Sequence, residues 1–116
     1  MTIQSPHRLN RAPLKDVPTM LEQIAERTRN PVLSLPACKE LVMLDPAARA
    51  ALVAVLRNLS VQAKEQAEKD WRRSKAPMAA YWKAVGTYSW HTARAVEAAG
   101  EAARRLEQIV ADHAAV

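Results

Sequence analysis

The chain has no phenylalanine, two glycines and one cysteine among its 116 residues. A single cysteine, Cys38, excludes an intrachain disulfide and a thiolate-rich metal cluster, and it fits a reducing compartment. The glycines, Gly86 and Gly100, stand alone within a helical pattern and cannot build a phosphate-binding loop. No run approaches the roughly twenty apolar residues of a membrane span, and the amino terminus lacks the apolar stretch of a secretion signal, so a cytoplasmic protein without a membrane partner is expected. Histidine is just as sparse. His7, His91 and His113 lie far apart, and none is four residues from another histidine or a cysteine, which leaves no local metal-ligand pair. Nothing strains a nucleophile into reach, and Cys38 reads as a small buried hydrophobe. The expectation is a non-enzymatic protein with no cofactor and no bound metal.

What the chain does have is alanine. It dominates the 49% hydrophobic fraction, so the apolar count overstates the volume available for packing. The length suits one domain, able to bury roughly two-thirds of the surface that the unfolded chain exposes, and less if the shape is elongated. The net charge is +5, and it is uneven. Residues 1–30 hold five basic and three acidic groups, residues 31–76 eight and five, and residues 77–116 four of each. A basic balance of this size suits an anionic partner such as DNA or RNA, and equally serves solubility.

The hydrophobic pattern predicts an all-α protein: a long antiparallel helical hairpin with two short N-terminal helices, forming a small helical bundle. Residues 1–15 mix prolines with Arg8, Arg11 and Lys15 and show no apolar face, so they read as a flexible basic arm ahead of a single helical domain over 16–116. A first helix over 17–29 would bury Met20, Leu21, Ile24 and Thr28 and end at Asn30-Pro31, with asparagine as a left-handed cap. Ser34 would cap a second, over 35–43, with Leu35, Cys38, Leu41, Val42 and Leu44 on its apolar side. Asp45-Pro46 marks the start of a third helix over 46–74, a capping carboxylate followed by proline at the first helical position. Its first half, with Leu52, Val53, Val55, Leu56 and Leu59, would enter the main core. Ala76-Pro77 interrupts the pattern and places the hairpin tip. A fourth helix follows over 77–113.

Heptad spacing along the fourth helix sorts its surface into columns. Folding the chain about Lys75-Ala76 sets Ala67 opposite Val85 and Gly86, Ala63 opposite Ser89, and Ser60 opposite Thr92 and Ala93. Two glycines in one helical column each cost about 1 kcal/mol relative to alanine, which suggests close approach of another backbone. The column Tyr81, Tyr88, Ala95, Ala102 and Ile109 would remain exposed in a lone subunit. An apolar strip of that length marks a contact surface, and a homodimer through it is expected.

The three tryptophans and two tyrosines all fall within residues 71–90, beside the densest basic cluster, Arg72, Arg73 and Lys75. Local packing suffices for Trp71, Tyr81 and Trp82, which would fill the wide end of the hairpin, while the basic residues serve the carboxyl end of the third helix. Trp90 differs. It shares a column with Lys83 and Glu97, outside the apolar arc and near Arg94, a placement suited to a protein-interface anchor. The preferred function is thus a protein-interaction module, an adaptor, inhibitor or regulator, acting through the hairpin surface. The alternative is a nucleic-acid-binding protein that stacks bases on the tip aromatics and meets phosphates with Arg72, Arg73, Lys75, Lys83, Arg94 and the basic arm. A helix-turn-helix would present Ala47 to Leu52, where Arg49 is the only charge, too little to read base edges.

Overall fold

The computed structural model describes residues 17–115, and the arm expected over residues 1–15 lies outside them. The described chain is all-α: α1 (Val17–Thr28), two 3-10 turns (Pro31–Ser34 and Pro36–Cys38) that run into the one-turn α2 (Lys39–Val42), then α3 (Pro46–Arg72) and α4 (Ala76–Ala115). α3 and α4 form the long hairpin, and the shorter elements pack against one end of it, its base. The molecule measures 65 × 29 × 17 Å.

The Asp45 carboxylate accepts from the Ala47 N–H at 3.0 Å and Pro46 opens α3, which satisfies an orphan amide at the helix start. At the other end the chain turns on Ser74, not on Ala76-Pro77 as the sequence suggests. Ser74 is left-handed with φ 60. The Lys75 N–H reaches back to the Asp70 carbonyl at 2.8 Å and the Ser74 N–H to the Trp71 carbonyl at 3.1 Å. This is the Schellman closure of a helix. Pro77 is the second residue of α4, where a missing donor is harmless. α1 ends the same way at Arg29, φ 55, with bonds from Asn30 to Ala25 at 2.9 Å and from Arg29 to Glu26 at 3.3 Å. The left-handed residue is thus Arg29. Asn30 is extended, and its side chain accepts from the Val32 N–H at 3.2 Å and donates to the His91 carbonyl at 2.9 Å.

The expected helix over 35–43 is replaced by the two 3-10 turns and α2. Pro31 and Pro36 each open a 3-10 turn, and a segment this short has no helical stability of its own, so packing decides its path. Leu33, Cys38 and Val42 are buried, whereas Leu35 and Leu44 are exposed. The buried stripe of α1 is Val17, Leu21, Ile24 and Ala25, with Met20 and Thr28 at its margin.

The main core forms between this N-terminal segment and α4, where Ala95, Ala98, Ala99, Ala102, Ala103 and Leu106 meet Leu21, Ile24 and Leu33. Two expectations are corrected by it. The first half of α3 does not enter that core: Leu52, Val53 and Leu56 are half-buried, and Val55 and Leu59 are exposed. The presumed dimer column is also not a free strip, since Ala95 and Ala102 are fully buried under the chain's own N-terminal segment and Ile109 is half-buried. Only Tyr81 and Tyr88 remain exposed. A salt bridge fastens the same packing: Glu101 on α4 accepts from Arg27 of α1 at 2.7 Å and from Arg105 at 2.8 Å. The Arg27 hydrogen bond holds the Glu101 carboxyl below its ordinary value.

The seam between α3 and α4 is lined by small groups, Ser60 and Ala63 against Gly86, Ser89 and Ala93. The Ser60 hydroxyl donates to the Gly86 carbonyl at 2.7 Å. The register differs from the sequence-based one by about a helical turn, because the pivot is Ser74. A methyl group added at Gly86 would lie 3.0 Å from Cγ of Lys64 and 3.1 Å from the Ser60 carbonyl oxygen. The expected close approach exists there. At Gly100 no backbone comes near; its neighbours would be arginine nitrogens at 3.5 and 3.6 Å.

Two outcomes follow for stability. Ser74→Gly removes the left-handed penalty of a residue with a side chain and raises stability by roughly 1 kcal/mol, read as a higher urea midpoint at unchanged slope. Gly100→Ala gains about 1 kcal/mol from helix propensity; Gly86→Ala must push the helices apart and gains nothing or loses, so the two midpoints move differently in the same titration.

Candidate partner-binding surface

Tipward of the Asn30–His91 link the hairpin stands without the third element that covers its base. Here the largest apolar side chains are outside: Trp71 and Tyr88 are each 69% exposed, Tyr81 55% and Met78 45%. Trp71 and Tyr81 therefore do not fill the end of the hairpin as expected. The seam at this height is closed by Ala79 on α4 and by Asp70, which accepts from Gln66 at 3.2 Å, and such small groups bring the helices too close to admit an indole. Trp82 is half-buried and stands edge-on to Tyr81, ring centres 5.0 Å apart at 75°, a favoured aromatic geometry.

Cations surround these rings. Lys64, Lys83 and Glu68 line an apolar groove with Trp71, Ala67, Ala76, Ala79 and Ala80, of about 510 Å³. Arg72 is exposed and pairs with Glu68 at 3.6 Å, a contact worth little in water. Arg73 ends α3 and donates its backbone N–H to Lys69, and Lys75 supplies the last bond of the turn. Both side chains are exposed at the tip. Of the sequence-predicted site residues, Arg72, Arg73, Lys75 and Lys83 share this end, while Trp90 and Arg94 lie two and three turns down α4.

Trp90 is 41% exposed, and one side of its ring is taken by the Arg57 guanidinium at 5.6 Å. Arg57 also binds Glu97, one heptad along from Trp90. The tryptophan is therefore part of a cross-helix cluster, not a bare anchor beside Arg94. Arg94 is exposed. The signal for this cluster was present as two heptad-spaced columns, Ala50, Arg57, Lys64 and Trp71 on α3 and Lys83, Trp90, Glu97 and Arg104 on α4, which meet along one flank of the seam.

Arg49, dismissed as a lone helix charge, is buried in the base. Its Nη1 donates to the carbonyls of Leu41, Val42 and Leu44, satisfying the carboxyl end of α2. No sequence pattern pairs it with that segment. Cys38 is buried, its thiol pushed up by desolvation, and lies 3.0 Å from the Val32 carbonyl. Among the described residues no three metal-ligating side chains gather, and no helix is long and apolar enough to cross a membrane. The chain matches no protein-family model, no curated protein and no solved structure.

Removing the guanidinium from the aromatic cluster exposes the indole: Arg57→Ala shifts the Trp90 indole N–H resonance while those of Trp71 and Trp82 stay in place, at a stability cost of about 1 kcal/mol.

Proposed function

We propose that the chain is a non-enzymatic interaction module whose hairpin tip docks a partner protein. One observation carries this reading. A single column of α4 is sealed at the base by the chain's own N-terminal segment, where it is Ala95 and Ala102, and is bare at the tip, where it is Tyr88 and Tyr81. The tip thus lacks the layer that the base has, and it carries side chains too large to be filler. Tyrosine, tryptophan and methionine are also enriched at interface centres, where the two aromatics bury large areas at little entropic cost. The partner supplies the third layer. A second copy of the chain meets the same requirement, with its contact confined to Tyr81, Tyr88 and Met78 in place of the full column.

Nucleic-acid binding is the second reading, favoured by the exposure of Trp71 in a groove that Lys64 and Lys83 also line. Stacking on an exposed indole with cations in the same groove would suit single strands.

A photoreactive residue at Tyr88, introduced in the native host, is expected to give a discrete protein adduct that the same probe at exposed Glu107 does not. Equal or absent adducts at both positions reject the docking surface. Retention of oligonucleotides with a steep loss of affinity in salt, removed by Arg72→Glu with Arg73→Glu, replaces it with the second reading.

A further inference from the structure

We propose that the cleft between the bases of α3 and α4, at Arg49, Gly100 and Arg104, binds a phosphate monoester. Arg49 is 8% exposed. Among the described residues neither it nor Arg104 forms a salt bridge, although the Arg104 charge acts on the Glu101 carboxylate, which Arg27 and Arg105 engage directly. The carbonyls of Leu41, Val42 and Leu44 occupy only Nη1. Nε and Nη2 have no hydrogen-bond partner among the described residues, and since no buried side-chain nitrogen there is left unsatisfied, both are open to solvent space. Nε faces Gly100. A methyl group on that glycine would sit 3.5 Å from Nε of Arg49 and 3.6 Å from Nη1 of Arg104. Two guanidinium groups therefore converge on one spot that glycine leaves empty.

Gly100 has no packing reason to be glycine. No backbone approaches it, and glycine inside a helix is disfavoured relative to alanine. A larger side chain would fill the spot where anion oxygens are accepted. Convergent like charges with few counterions raise one another's burial cost, and a tetrahedral oxyanion between them reverses the sign of that interaction. The cleft measures about 460 Å³, with Ala50, Val53 and Val96 as its apolar wall, in the range of small-ligand sites. That wall suits the organic part of a monoester. Glu97 also lines the cleft, and Arg57 engages its carboxylate. Arg49 also lines a second hollow on its other side, which it shares with Asp45 and Glu107. The site lies at the far end of the hairpin from the partner surface and stands or fails separately from it.

The test is thermal unfolding of the full chain at fixed ionic strength, with glycerol 3-phosphate replacing chloride. A saturable rise in Tm of roughly 5 °C is expected at tenfold excess over Kd. Arg104→Gln, a change at an exposed side chain, relieves the like-charge repulsion, so its Tm in chloride is no lower than that of the wild type, and it abolishes the rise. In NMR the Nε–H resonances of Arg49 and Arg104 move together on titration of the wild type. An equal rise in Arg104→Gln is a general salt effect and overturns the proposal, as does a wild type that does not respond. An oligonucleotide that displaces the monoester makes a phosphodiester the occupant and overturns the monoester assignment.

Discussion

The architecture depends on α4 having small residues on two faces at once. Alanine, serine and glycine on one side let α3 lie close enough for the Ser60 hydroxyl to reach the Gly86 carbonyl, and a second row of alanines receives α1 and the 3-10 turns. A helix with bulky residues on either side would hold one neighbour at normal spacing and exclude the other. Because the closeness comes from what side chains lack, the large groups are displaced outward. Their exposure at the tip and the thinness of the molecule are two results of one cause.

Much of the hairpin was legible because helix signals are local. Asp45-Pro46 is a start signal readable within a few residues, and the apolar spacing of α3 and α4 fixes their extent to within a turn. The pivot was less legible. Proline stands out in a sequence, yet the residue that turns the chain is Ser74, and nothing in serine announces a left-handed conformation. The same holds for Arg29, where asparagine next door looked the better candidate. Both corrections have the same origin: the Schellman bonds are made by the backbone, which every residue shares.

The surface was harder to read than the fold, since exposure depends on which element lies on top. Heptad spacing puts Tyr81, Tyr88, Ala95 and Ala102 in one column, but it does not encode that the N-terminal segment covers only the two alanines. Trp90 was placed at the correct edge, but its Arg57 partner comes from the facing helix, and that pairing needs the register to be known to within a turn. Arg49 was hidden for the reverse reason. Its carbonyl partners belong to a segment whose 3-10 path no periodicity encodes.

The brief turn at Ser74 also governs the order in which the molecule assembles. Contacts between α3 and α4 nest around it, which keeps their loop-closure cost low and favours closure outward from the turn. Arg27 and Glu101, by contrast, are 74 residues apart in sequence, and the N-terminal segment docks only on a surface that the hairpin has already shaped. Such nesting favours two grades of cooperativity, in which amide hydrogens of α1 are expected to exchange through openings that leave the paired rods intact.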